Sequence, residues 1–212
     1  MFSFRNVFLG LIYCVLMRNF LRIIVGVKFI NKESLKKEKQ FIIVANHNSH
    51  LDVMAIMSSL SFHQLKNTHP IAAGDYFGNS KFKSYITRLF TNAILIRRSK
   101  SNGTDNPIDA MNKAIQKGKS LILFPEGSRG EPGKMQEFKK GIGILLQMNP
   151  TIPFIPVYMK GMGKVLPKGE KLLVPFDTYV AFGEPIFITS TDISTIIIDV
   201  EKEIINLDKK LA

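Results

Sequence analysis

Short apolar runs rich in β-branched residues recur along this chain, each separated from the next by a stretch of helical spacing or a polar turn. That alternation constrains the fold most, because strands joined through helices run parallel and need helices over the faces of their sheet. Residues 25–30, 41–45, 70–73, 93–96, 120–124, 152–159 and 171–182 read as strands. Residues 51–60 and 141–148 have helical spacing, and a further helix fits between the strands at 70–73 and 93–96. Asn106-Pro107 opens a helix that Gly118 closes, and residues 193–211 place Ile197, Val200, Ile204, Leu207 and Leu211 on one helical face. The pattern predicts an α/β fold with a mostly parallel sheet flanked by helices. No linker, repeat or low-complexity tract divides the 212 residues, so a single domain is expected.

In such sheets, sites form at the carboxyl ends of strands, and two polar clusters follow strands directly. The first is Asn46-His47-Asn48-Ser49-His50-Leu51-Asp52. His47 and Asp52 are spaced so that the imidazole points into a cleft while the carboxylate, one turn into the helix, accepts a proton from its other nitrogen. No G-x-S-x-G elbow accompanies the pair. The simplest chemistry for a base without a protein nucleophile is deprotonation of a substrate hydroxyl, which then attacks an activated carbonyl. Taken alone, the pair is better read as a structural histidine capping the helix.

The second cluster is Phe124-Pro125-Glu126-Gly127-Ser128-Arg129-Gly130. Arg129 offers a planar fork matched to phosphate, and backbone N–H groups around Gly127 can face an anion or a developing oxyanion. Glu126 is read as an organiser of the loop or a ligand for an acceptor hydroxyl, and Ser128 as a further polar contact. The bland alternative is a solvated Pro-Gly turn.

The formal charge of +12 predicts a polyanionic partner, and its placement narrows the choice. Residues 1–40 hold Arg5, Arg18, Arg22, Lys28, Lys32, Lys36, Lys37 and Lys39 against Glu33 and Glu38, half of the excess, alongside the most apolar stretch of the chain. That combination predicts an anionic membrane surface rather than nucleic acid, with residues 1–24 as an interfacial segment and 25–212 as the catalytic domain. The uncharged run from Asn6 to Met17 makes a helix of only ~18 Å, short of a ~30 Å hydrocarbon core, so monotopic or peripheral attachment is expected. Burial against the protein's own core is the alternative. Arg18-Asn19-Phe20-Leu21-Arg22 follows in place of a cleavage site, so no cleavage is expected. The one cysteine, Cys14, leaves no disulfide framework and no cysteine-type zinc site, and fits the cytoplasmic side; it reads as a buried apolar thiol.

The order N-H-x-S-x-x-D, then F-P-E-G-S-R some seventy residues on, resembles the paired signature of glycerolipid acyltransferases related to 1-acylglycerol-3-phosphate acyltransferase. The similarity extends in order and spacing over roughly residues 25–190. It implies a glycerol-3-phosphate acyltransferase-like fold. It also implies transfer of an acyl chain from acyl-CoA or an acyl carrier protein to a lysophospholipid acceptor in phospholipid biosynthesis, with His47 as base and Asp52 its partner. Ala93-Ile94-Leu95-Ile96-Arg97-Arg98 resembles the family's middle motif, which implies Arg98 and Arg129 on the acceptor phosphate. Ile155-Pro156-Val157 and Phe138-Lys139-Lys140-Gly141 resemble later segments. Ala72-Ala73-Gly74-Asp75-Tyr76-Phe77 departs from the family's usual lysine-bearing stretch, which leaves glycerol 3-phosphate, another lysolipid or a non-phosphorylated acceptor beside lysophosphatidate.

Two other readings compete. His47, His50 and Asp52 as metal ligands would need further donors, and only His63 and His69 remain, in a stretch that reads as loop; His50 is better explained as a cleft-lining or turn residue. The second is a nonenzymatic binder of nucleic acid or anionic membrane; no zinc knuckle, RRM-type aromatic motif or basic recognition helix is visible, and the interior cations are interleaved with the acyltransferase-like motifs. No metal or organic cofactor is implied.

Overall fold

The computed structural model describes residues 4–74, 90–96, 106–131, 133–165 and 177–211. Its strands are β1 (Val27–Ile30), β2 (Ile42–Ala45), β3 (Thr68–Ala73), β4 (Ile94–Ile96), β5 (Ser120–Leu123), β6 (Phe154–Lys160) and β7 (Thr178–Phe182). They form one seven-stranded sheet in the order β1-β7-β6-β2-β5-β3-β4. Neighbours are parallel except β6 with β7.

The central strand explains itself. All four residues of β2 are buried, because Ile42 and Val44 face one apolar layer while Ile43 and Ala45 face the other. Ile122, Ile155, Val157 and Met159 join Ile43 on the first side; Leu121, Leu123 and Phe154 join Ile42 on the second. Helices α1 (Phe4–Ile24), α2 (Asp52–Ser59) and α3 (Phe62–Leu65) contribute Leu9, Tyr13, Ile56 and Leu65 to the first layer. Helices α4 (Pro107–Gln116), α5 (Lys140–Gln147) and α7 (Ile193–Lys209) contribute Ile115, Leu145 and Val200 to the second; α6 (Met162–Val165) is a single turn after β6. Asn106 Oδ1 accepts the N–H of Ile108 at 3.0 Å with Pro107 at the first helical position, and Gly118 takes φ 74° beyond the end of α4.

Several expectations shift. The last strand begins at Thr178, and residues 171–176 of the expected run lie outside the described residues, as does most of the helix expected between β3 and β4. The buried face of α7 is Ile196, Val200 and Ile204, with Ile197 only partly covered. Three consecutive isoleucines offer several phases, and the close crossing of α5 selects one: a Cβ on Gly143 would lie 2.8 Å from Ile193 Cγ2 and 3.0 Å from Ile197 Cγ1. His63 and His69, read as loop residues, stand on α3 and β3, because β3 starts two residues earlier than its apolar run and α3 is closed by a Ser61–Gln64 capping box.

The amino-terminal helix is longer than its uncharged run. Arg18 interrupts the apolar composition but not the helix, because its guanidinium turns inward to Ser58 O at 2.7 Å and Leu60 O at 2.8 Å. The helix therefore runs 21 residues, long and apolar enough by length and composition to cross a membrane. Over Leu11–Met17 and Phe20–Ile24 its turns widen, so that the N–H of Val25 reaches Phe20 O, five residues back. Its inner side, with Leu9, Gly10, Tyr13 and Leu21, is buried against the domain, while Phe4, Leu16, Ile23 and Ile24 face outward. Cys14 is half-buried, its thiol toward Leu60 O at 3.9 Å.

Candidate active site

β2 and β5 are adjacent and parallel, so the loops that leave their carboxyl ends emerge side by side. This brings the two polar clusters, 79 residues apart in sequence, into direct contact: Glu126 Oε1 accepts the backbone N–H of His47 at 2.7 Å. Gly130 returns the link, donating its N–H to His47 O at 3.1 Å. The second loop thus grips the backbone of His47 from both sides. Asn46 fixes the other flank, its side chain donating to Met159 O at 2.9 Å and accepting from Met159 N at 2.7 Å, which ties the end of β2 to β6.

The side chain of His47 is held as firmly. Its Nδ1 lies 2.9 Å from Asp52 Oδ2, and its ring stacks on Phe124 with centroids 4.1 Å apart and planes inclined by 21°. Asp52 Oδ2 also accepts the N–H groups of Asn48 at 2.7 Å and Ser49 at 2.8 Å, so the carboxylate closes the turn and begins α2 at once. Asp52 is fully buried, whereas the His47 side chain keeps 20% of its surface exposed. With Nδ1 facing a carboxylate, the proton belongs on Nδ1 and Nε2 presents its lone pair; Nε2 has no hydrogen-bond partner among the described residues. Asp52 Oδ1 and Asn48 Oδ1 are buried without a partner.

Glu126 serves the loop. Its two oxygens take backbone N–H groups, Oε1 from His47 and Oε2 from Gln136 at 3.0 Å, so of its two expected roles the organiser is the one the geometry displays. Burial pushes its carboxyl above the ordinary value, and those two N–H groups pull it back. Gly127 takes φ 74°, a left-handed conformation that favours glycine. Ser128 is exposed at the rim. Arg129 Nη1 meets His50 Nε2. Burial, then the charges of Arg129 and His47, hold His50 below its ordinary pKa, so a neutral ring can accept from the guanidinium. Arg98 lies outside the described residues.

Sequence reasoning brought forward His47, Asp52, Glu126, Gly127, Ser128 and Arg129 as site residues, quoted Asn46 and Phe124 within the same motifs without giving either a role, and read His50 as a cleft-lining or turn residue. The available signal was position: Asn46 and Phe124 open the two motifs at the points where buried strands end, and His50 lies inside the first. The arrangement suits general-base chemistry at an open nitrogen, flanked by a guanidinium. Among the described residues, no group of three or more His, Cys, Asp or Glu side chains is arranged to hold a metal ion.

A solved structure of the 1-acyl-sn-glycerophosphate acyltransferase PlsC from Thermotoga maritima shares the fold, with a TM-score of 0.75 at 23% identity over 98% of this chain and 81% of that one. A chloroplastic 1-acyl-sn-glycerol-3-phosphate acyltransferase of Brassica napus is 25% identical over 153 residues, 72% of this chain but 42% of that protein. The Bacillus subtilis enzyme of the same name is 24% identical over 161 residues, 76% of this chain and 74% of its own. Against the first two curated relatives, the matched segment spans 42% and 52% of their length. The family model described as Acyltransferase matches residues 26–160, well over half of the 212, and the chain belongs to that acyltransferase family.

Proposed function

We propose that this protein transfers a fatty acyl group from a thioester, acyl-CoA or acyl carrier protein, to the free hydroxyl of 1-acylglycerol 3-phosphate, in phospholipid synthesis. One observation carries the reading: a His47 imidazole oriented by a buried carboxylate, with its other nitrogen unengaged. In the reaction, Nε2 takes the acceptor's hydroxyl proton as the oxygen attacks the thioester carbonyl, and the imidazolium so formed is stabilised by Asp52. Collapse of the tetrahedral intermediate breaks the C–S bond, and the departing thiolate takes the proton back from Nε2. General-base assistance of this type typically contributes ~10²–10⁴-fold. Arg129, with Arg98, is assigned to the acceptor phosphate, and the loop at Gly127 and Ser128 to the reacting end of the substrates. The acceptor follows from the names of the relatives.

Residues 1–24 are assigned to the membrane interface and 25–212 to catalysis, at the cytoplasmic face. The support is the outer side of α1, where Phe4 is 86% and Ile23 75% exposed, with Arg5 and Arg22 beside them. Such a surface suits a leaflet of anionic lipid, each cation contributing ~1 kcal/mol near it.

The test is release of free thiol from palmitoyl-CoA or acyl carrier protein in mixed micelles. Lysophosphatidate, glycerol 3-phosphate and a non-phosphorylated lysolipid are compared, beside His47→Ala. Acceptor-dependent release that vanishes in the variant is expected. Release that no acceptor stimulates, or that survives His47→Ala, overturns the reading in favour of a binding role.

A further inference from the structure

Gly127 does more than turn the chain. A Cβ at this position would lie 2.5 Å from Lys139 Nζ and 2.9 Å from Lys139 Cε, so the ammonium of Lys139 rests in the space that glycine leaves open. Lys139 is exposed, and its backbone N–H reaches Pro125 O at 3.0 Å, which anchors the stem of the side chain beside the loop. The ammonium therefore sits over the middle of the loop whose flanking residues, Glu126 and Gly130, grip the backbone of His47. Three further facts bear on its purpose. It forms no ion pair among the described residues. Both carboxylate oxygens of the adjacent Glu126 are turned to backbone N–H groups. And Lys139 caps α5, a helix with no acidic residue in its first turn, where a cation meets the positive end of the helix dipole. An exposed lysine without an ion pair among the described residues, reaching over a loop that holds His47, is placed to meet an anion supplied by substrate.

We propose that Lys139 is a substrate-binding residue that takes a phosphate monoester at this site, beside Arg129. This rests on the acyltransferase reading above. A monoester carries roughly −1.5 to −2 charges near neutral pH, so it gains from a second cation. A phosphodiester carries a single charge, which Arg129 can meet alone. Lys139 therefore selects for the monoester. Two substrates offer one: the acceptor lysophosphatidate and the 3′-phosphate of acyl-CoA.

Steady-state kinetics on the full-length protein in mixed micelles separate these. Lys139→Gln is compared with wild type, with Lys139→Arg, and with Lys140→Gln, which removes the same charge one residue away. Acceptors are lysophosphatidate and the diester lysophosphatidylglycerol; donors are acyl-CoA and its 3′-dephospho form. Lys139→Gln is expected to raise one KM about tenfold while kcat stays within about twofold, with Lys139→Arg restoring it and Lys140→Gln leaving it unmoved. A rise for lysophosphatidate but not the diester assigns the acceptor. A rise for acyl-CoA but not its dephospho form assigns the donor. The proposal is overturned if no KM moves beyond twofold, if monoester and diester shift alike, or if kcat alone falls. A wild type that fails to acylate any acceptor sinks the functional reading and this one with it, whereas an active wild type with an indifferent Lys139→Gln sinks only this one.

Discussion

At the amino-terminal edge of the sheet, most buried polar side chains are tied to backbone, Ser34 Oγ excepted. Asn92 donates to Leu65 O at 3.1 Å and Thr68 O at 3.0 Å, His69 Nδ1 pairs with Asn92 O at 2.8 Å, and Asn149 donates to Leu145 O at 2.9 Å. Gln40 joins Ile115 O and Lys119 O there, binding α4 to the start of β2. At the carboxyl edge, Asp52 Oδ1 and Asn48 Oδ1 are buried with nothing bonded to them, and His47 Nε2 is open. A buried acceptor without a partner costs roughly 1–3 kcal/mol, so the second edge is the less stable arrangement of the two. The amino-terminal edge is mostly bonded scaffold; the carboxyl edge leaves open the nitrogen assigned to the reaction.

Substitutions at the two edges should divide accordingly, and the largest effect is at His47. His47→Ala should lower turnover ~10³-fold or more, with the thermal midpoint within about 2 °C of wild type. Thiol-release kinetics beside a circular-dichroism melt check both. Asp52→Asn should cost ~10²–10⁴-fold, because an amide neither favours the Nδ1-protonated tautomer nor stabilises the imidazolium. Glu126→Gln should slow turnover ~10–100-fold and lower stability as well, since its amide NH₂ group would confront a backbone N–H at His47 or Gln136. A Glu126→Gln protein as active as wild type would show that the grip on His47 is irrelevant to catalysis.

Asn92→Ala tests the opposite edge. It strips donors from two carbonyls and puts alanine at φ 56°, so a loss of about 2 kcal/mol is expected, with kcat at 25 °C within about twofold. If it abolished turnover while the melt stayed put, the division between the edges would fail. The smallest effect is in pH. Burial holds His69 at about 4, with Lys119 and Arg5 lowering it further and the bond to Asn92 O opposing. Its unfolded value is 6.5, so the unfolded chain binds a proton that the folded chain refuses. Stability should be full above pH 6.5, decline as pH falls toward about 4, and decline less steeply in His69→Gln. Urea titrations at pH 7 and pH 5 read this directly.

Much of the carboxyl edge was legible in sequence because its signals are local. Four consecutive buried residues of β2 end in Asn46-His47, and Asp52 closes the turn within five positions, so strand, turn and helix announce the pair together. The contact between Glu126 and His47 was legible only as a resemblance between motifs, since adjacency of β2 and β5 is a property of sheet order. Sheet order also hid the reversal of β7 against β6, which no residue in Thr178–Phe182 signals. The amino-terminal edge was least legible. His69 and Asn92 stand in short polar stretches that read as turns, and whether such a residue is bonded depends on carbonyls more than twenty positions away. Arg18 misled for the same reason: its charge reads as an end to the apolar stretch until its partners, forty residues on, are known.

Those partners give Arg18 a practical meaning. Asp52 opens α2, and the carbonyls that Arg18 holds lie at the far end of the same eight-residue helix, roughly 12 Å away at 1.5 Å per residue. On the proposed membrane assignment, trimming the apolar amino terminus is the obvious route to a protein that purifies without detergent. Here that cut would leave Ser58 O and Leu60 O, at the end of the helix that carries Asp52, without the donors Arg18 supplies, and would remove Leu9, Tyr13 and Leu21 from the core. A detergent-free form of this protein is therefore better sought by replacing Phe4, Leu16, Ile23 and Ile24 on the outward side, with Arg18 and the inward side kept.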